Sequence, residues 1–202
     1  KNQRFSLSKK IHPLLNTRGV PGTHDVNKLI RDIQKFDNSK YPIQTPVFDK
    51  LIDDRLEKKR NINFKADILI LEGWCCGADH IKNDYLLKNI NQLERDKDAK
   101  FIWRKYYNNK LKNEYRKLFN LFDKKIYLKA PSFKYILNWR TKQERMNKSN
   151  LIIQKKMNKK NIIAFIQHYE KLTKWMLNTA PMKSNIVIQV DKKQRITSIK
   201  LR

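Results

Sequence analysis

Ala66-Asp67-Ile68-Leu69-Ile70-Leu71-Glu72-Gly73-Trp74-Cys75-Cys76-Gly77 is the stretch on which the reading of the fold turns. Ile68 to Leu71 run without a polar break and stop at an acid followed by glycine. An apolar run of that length between polar residues and glycine predicts a strand buried on both faces. Such strands belong to parallel sheets, and open α/β sheets bind ligands just beyond the carboxyl ends of their strands. Glu72, Gly73 and Trp74 then sit at that edge. The plainer alternative is a core strand that closes in an ordinary exposed turn.

The chain has four glycines, in two places: Gly19 and Gly22 in Arg18-Gly19-Val20-Pro21-Gly22-Thr23-His24-Asp25, and Gly73 and Gly77 in the first stretch. A chain this poor in glycine keeps it where the backbone turns left-handed or approaches another group closely. The two turns, each beside acids and bases, read as two walls of one site.

The 202 residues suffice for one domain with a core of its own. The adjacent pair Cys75-Cys76 cannot build a disulfide framework and fits a reducing compartment. No apolar run is long enough to cross a bilayer, and the start does not read as a signal peptide. The first residue is Lys1 and not methionine, which leaves room for sequence upstream. Forty-six Lys and Arg against 19 acids give a net charge of +27. The lysines are scattered and do not gather in a block, so compositional bias on a solvated surface is the first reading. An anionic small ligand drawn by the long-range field is the second, and a nucleic acid the third.

Taken in order, residues 2–11 predict a helix. Thr23 is a good N-cap for a helix carrying Val26, Leu29, Ile30, Ile33 and Phe36. Arg18, Thr23, His24 and Asp25 therefore cluster at a helix N-terminus, which favours anions. A capped helix with a structural histidine explains the same residues. Residues 42–55 show no helical or strand period. They carry Asp49-Lys50 and Asp54-Arg55 and read as a candidate substrate loop, or as exposed ion pairs. Phe101 to Phe122 is a firm helix with a Trp103, Tyr107, Leu111, Tyr115, Leu118, Phe122 stripe. Residues 125–129 predict a strand, and Pro131-Ser132 opens a helix that carries Arg140 and Arg145 toward Asn150. Residues 161–178 predict another helix, 186–190 a strand, and the chain ends in a short strand near Leu201. Strands separated by helices predict an α/β fold with a mostly parallel sheet flanked by helices.

These residues resemble the P-loop kinases related to D-glycerate 3-kinase, within the uridine kinase and phosphoribulokinase group. The marks run along nearly the whole chain. They are His12-Pro13-Leu14-Leu15, the Thr17 to Asp25 turn, Pro46-Val47-Phe48-Asp49-Lys50 with Asp54-Arg55, and Leu71-Glu72-Gly73-Trp74. Asn91-Gln92-Leu93-Glu94, Trp103-Arg104, Pro131-Ser132-Phe133, Trp139-Arg140 with Gln143-Glu144, and Phe165 to Glu170 complete them. The resemblance implies ATP-dependent phosphoryl transfer, with magnesium, to a hydroxyl of a small molecule in the cytoplasm, D-glycerate being the best candidate.

One departure stands out: the sequence has no Gly-x-x-x-x-Gly-Lys-Ser/Thr loop to cradle ATP phosphates. In the family that loop lies upstream, so residues 1–202 are expected to form a single kinase-like domain, incomplete at its N-terminus. The fold is then P-loop-kinase-like without its first strand–P-loop–helix unit. The resemblance further implies that Glu72 binds Mg²⁺ and that Arg140 is a lid cation on the moving phosphoryl group. Asp49, Lys50 and Arg55 would hold the acceptor, and Arg18, His24 and Asp25 would form the opposite wall. The alternative is a catalytically inactive kinase-like protein that binds nucleic acid or another partner through its basic surface.

Overall fold

The computed structural model of the chain describes residues 1–49, 52–146 and 158–202. Lys50, the continuation of the basic helix toward Asn150 and the side chain of Arg145 lie outside the described residues. Helix α1 (Asn2–Lys10) leads through a 3₁₀ turn (Pro13–Asn16) to the first glycine turn and α2 (Val26–Asp37). A hairpin of β1 (Ile43–Asp49) and β2 (Asp54–Ile62) follows. Short helices α3 (Asn83–Leu86) and α4 (Gln92–Lys97) precede α5 (Ile102–Lys110), a π segment (Leu111–Tyr115) and α6 (Arg116–Phe119). The chain closes with β3 (Ile126–Lys129), α7 (Phe133–Met146), α8 (Lys159–Thr179), β4 (Ile186–Val190) and β5 (Ile196–Leu201).

The long aromatic stripe forms the heart of the core: Trp103, Tyr107, Leu111, Tyr115, Leu118 and Phe119 are all buried. Residues 103, 107, 111, 115 and 119 recur every fourth position, and with 3.6 residues per turn each such step drifts by about 40° around the helix. The π segment adds backbone per turn at Leu111–Tyr115 and cancels part of that drift. Tyr115 thereby stays on the inward face.

Where a mostly parallel sheet is expected, the described strands form one parallel and two antiparallel pairs. β3 pairs with β4 in parallel, whereas β4–β5 and β1–β2 are antiparallel. The reason for β4–β5 is local. Asp191 closes the turn by accepting from the Lys193 and Arg195 amides at 2.8 and 2.9 Å and from the Arg195 guanidinium. A connection that short permits only an antiparallel return.

Residues 66–71 are a second correction: they form no strand, and Ile68 and Ile70 are 77% and 82% exposed. An apolar run becomes a buried strand only where neighbouring strands take up its amides and carbonyls, and β3, the edge of the three-stranded sheet, pairs only with β4 among the described residues. The same sheet has a bare face. Ile126 and Leu128 of β3 stand in register with Ile186 and Ile188, and these with Leu201 and Ile199. Both β3 residues and both β5 residues of that row are exposed. The opposite face buries Val187 and packs Tyr127 on the core.

The hairpin is the third departure, a pair of strands where the sequence reads as a loop. Pro46 interrupts β1 beside a register shift, and β2 is exposed on both faces along most of its length. The burial of β1 alternates from buried Ile43 onward, but its sequence, Ile-Gln-Thr-Pro-Val-Phe-Asp, does not alternate apolar and polar residues, and β2 buries neither face.

Candidate functional site

The first glycine turn is pinned from inside and out. Val20 and Pro21 are fully buried. Thr23 Oγ1 accepts from the Gly19 amide at 2.9 Å and donates to the Val20 carbonyl at 2.7 Å. Thr23 is thus spent on the turn, and the helix cap falls to Asp25, whose Oδ1 accepts from the Lys28 amide at 3.1 Å. Gly19 and Gly22 hold φ of +124° and +92°. A Cβ at Gly19 would lie 2.9 Å from both Cε1 and the hydroxyl oxygen of Tyr169. Gly19→Ala is therefore expected to destabilise the fold by about 1–3 kcal/mol through left-handed strain and displacement of Tyr169. Urea unfolding measures it, and a loss under about 0.5 kcal/mol, the level of a neutral surface change, counts against the constraint.

Around this turn lies a cavity of about 440 Å³ lined by Arg4, Arg18, His24, Asp25, Phe48 and Arg55, among others. Four of the side chains proposed from the sequence thus share one wall system: Arg18, His24, Asp25 and Arg55. They come from the glycine turn, the start of α2 and the hairpin. Arg55 grips Asp25 Oδ2 with both terminal nitrogens at 3.1 Å, fastening the hairpin to the turn. Burial pulls the Asp25 carboxyl up, but the Lys28 amide, the Arg55 hydrogen bond and the charges of Arg55 and Arg31 outweigh it and leave the pKa below the usual range. Arg18 lies 3.8 Å over the Phe48 ring, with its Nε 3.4 Å from Asp53. Arg4 binds the other Asp53 oxygen at 2.6 Å. A guanidinium has five N–H donors, and Asp53 engages that of Arg18 at Nε.

The second glycine turn meets the first through α8. Tyr169 donates its hydroxyl to the Arg18 carbonyl at 2.7 Å and packs edge-on against Trp74 at 4.9 Å. Trp74 Nε1 donates to Thr173 at 2.9 Å, one turn further along α8. Glu72, just before this turn, is exposed and stands outside the cavity wall. Arg140 lies on α7, bonded to Gln143 at 2.6 Å, with its guanidinium 5.6 Å from the Phe165 ring. Asp49 ends β1 opposite Asp54, and the wall takes its neighbour Phe48 instead.

Arg4, Phe48, Asp53 and Tyr115 belong to the surroundings of this site and are absent from the sequence reading of it. Phe48 sits inside a quoted family mark, which was the available signal. Arg4 and Tyr115 read as helix surface and core stripe. Periodicity says nothing of where their polar tips end.

The described residues do not by themselves fit a nucleotide with its metal. The chain offers no glycine-rich phosphate loop, and among the described residues no three metal-ligating side chains gather. Glu72 is a single exposed carboxylate, whereas Mg²⁺ at such sites relies on phosphate oxygens and water besides one or two carboxylates. Among the described residues no helix is long and apolar enough to cross a membrane.

No family model matches the chain. In sequence it is 27% identical over 185 residues to an uncharacterized kinase, mug58, of Schizosaccharomyces pombe, covering 87% of this chain and 64% of that protein. It is 37% identical over 90 residues to a probable ATP-dependent kinase, TDA10, of Saccharomyces cerevisiae, covering 40% of this chain and 29% of that one. The matches thus span less than two thirds of either relative. In structure, D-glycerate 3-kinase from Cryptococcus neoformans var. grubii superposes with a TM-score of 0.79 at 22% identity, over all of this chain and 75% of the other. The YGR205w protein superposes with a TM-score of 0.70 at 22% identity, over all of this chain and 73% of the other. In sequence, then, the chain is a relative of kinases, and in fold it is similar to D-glycerate 3-kinase.

Proposed function

We propose that the chain is the acceptor-binding portion of a small-molecule kinase that transfers the terminal phosphoryl group of ATP, with Mg²⁺, to a hydroxyl of an anionic acceptor in the cytoplasm, D-glycerate being the best candidate. The observation that carries the reading is the single cavity in which Arg18, His24, Asp25 and Arg55 meet. Guanidinium forks suit the carboxylate of a hydroxy acid, and the carboxylate and imidazole beside them suit its hydroxyls. Phosphoryl transfer depends chiefly on positioning and charge neutralisation, and a wall of this kind supplies the positioning.

The ATP loop, on this reading, lies in further chain outside these 202 residues. The unpaired segment at Ile68–Leu71 and the bare apolar face at Ile126, Leu128, Ile199 and Leu201 support that. Parallel sheets are ordinarily covered on both faces, and a strand–loop–helix unit would cover this one. The test is turnover by the complete reading frame, with ATP and a panel of acceptors: glycerate, pantothenate, a nucleoside and a sugar phosphate. ADP release driven by glycerate above the others is the expected result. Release driven by none of them rejects the acceptor class.

A second reading rests on β2, whose exposed Lys58, Lys59 and Arg60 form a basic ridge. It makes the protein an inactive kinase relative that binds nucleic acid. Duplex binding whose affinity falls steeply and linearly with the logarithm of salt concentration, together with no ADP release, favours it.

A further inference from the structure

Tyr115 reaches from the π segment into the base of the glycine turn. Its ring is buried, 3% exposed. The Gly22 amide donates to its hydroxyl at 3.1 Å, and His24 Nδ1 lies 2.6 Å from the same oxygen. A phenol has one proton to give. With the Gly22 N–H occupying an acceptor site, His24 Nδ1 is the partner for that proton among the described residues. Nδ1 is then unprotonated and the ring proton resides on Nε2. Nε2 has no partner among the described residues, and the solvent-accessible imidazole lines both the 440 Å³ cavity and a smaller one of about 180 Å³.

We propose that Tyr115 is a positioning residue that fixes His24 as the Nε2–H tautomer, so that His24 offers an uncharged hydrogen-bond donor to an oxygen of an anionic hydroxy acid held beside Arg18. This rests on the acceptor reading above for the ligand, though not for the tautomer. The surroundings agree. Desolvation by the surrounding groups, then the charges of Arg18 and Arg4, lower the His24 pKa. Asp25 follows His24 in the chain and is held by Arg55. Lys110 and Glu114, on the helix that carries Tyr115, pair with each other at 2.6 Å. A neutral imidazole with a fixed Nε2–H prefers a carboxylate or hydroxyl oxygen and gives no partner to an ammonium.

The experiment is ¹⁵N-detected imaging of the histidine ring nitrogens by NMR in the chain and in Tyr115→Phe, with D-glycerate as the added probe. The expected spectrum has an unprotonated, pyridine-like Nδ1 and a protonated, pyrrole-like Nε2 on His24. In Tyr115→Phe the tautomers mix and the ring titrates at a higher pH, with amide shifts elsewhere retained. D-glycerate is expected to move the Nε2 resonance, with affinity about tenfold weaker in Tyr115→Phe, the scale of one hydrogen bond. His24→Gln, which sets an N–H donor near the Nε2 position, should keep binding, and His24→Asn, which reaches only the Nδ1 position, should lose it. A protonated Nδ1 in the unaltered chain, or equal binding by the Gln and Asn variants, overturns the proposal. A correct tautomer whose Nε2 ignores D-glycerate overturns the acceptor reading and leaves the tautomer standing.

Discussion

Arg104→Met is expected to cost about 3–5 kcal/mol, the usual consequence of removing one partner from a buried charge cluster. Arg104 is fully buried between Glu94 and Asp98. Its Nε donates to Asp98 Oδ2 at 2.8 Å, Nη2 to the Asp98 carbonyl at 2.8 Å, and Nη1 to the Leu86 carbonyl at 3.3 Å. Nη1 also lies 3.4 Å from Glu94 Oε2. Asp98 in turn accepts from the Trp103 and Arg104 amides at 2.9 and 3.2 Å, capping α5. Lys171 of α8 completes the set, 3.4 Å from Glu94 and bonded to the Tyr85 and Lys88 carbonyls at 2.9 and 2.6 Å. Methionine fills much of the volume but leaves buried Glu94 with Lys171 and buried Asp98 without the guanidinium that paired with it. Burial already raises the Glu94 pKa against the pull of Lys171 and Arg104, so with the guanidinium gone Glu94 is expected to take up a proton instead of remaining charged. Against a total stability of about 5–15 kcal/mol, such a loss removes between about a fifth of the margin and all of it. Urea titration of the chain and the variant decides it. A loss below about 1 kcal/mol means that the cluster is more hydrated than its burial indicates.

The second large effect concerns turnover. In the complete kinase proposed above, Arg140→Ala is expected to reduce turnover by about 10³-fold or more, the range seen when a phosphoryl-stabilising arginine is removed. The fold should survive. Arg140 bonds to Gln143 on its own helix and faces Phe165 of α8 with its guanidinium, and alanine is the strongest helix former, which favours α7 in the variant. An Arg140→Lys variant keeps the charge without the planar fork and should recover only part of the rate. Turnover within about threefold of the unaltered enzyme, at equal thermal midpoint, would remove Arg140 from the chemistry.

These two arginines were legible to different degrees. Trp103-Arg104 and Asn91 to Glu94 stood out as family marks, yet nothing local shows that they act as scaffold. Asn91 donates to the Gln167 carbonyl at 3.0 Å, and Gln167 Oε1 accepts from the Leu93 amide at 2.8 Å, so these marks lock α4 to α8. Partners about 75 residues apart are joined by packing, which no sequence window contains. Arg18, His24, Asp25 and Arg55 were easier to find, because a glycine turn, a capped helix and a charged loop each leave a local trace.

What the sequence by itself determined is whatever a short-range pattern dictates. The stripe from Trp103 to Phe119 made a helix, α8 followed from its apolar spacing, and β3 and β4 emerged from short apolar runs bounded by polar residues. Gly19 and Gly22 marked the turn because their backbone angles admit little else. Tertiary structure decided the rest. It put Thr23 inside the turn and moved the cap to Asp25, since one hydroxyl cannot serve both. It paired β1 with β2 despite Pro46, because the hairpin closes through backbone hydrogen bonds, the Arg55–Asp25 clasp and the burial of Ile43 at one end of β1. It left Ile68 to Leu71 unpaired, because an apolar run becomes a strand only when another strand lies beside it to share its hydrogen bonds.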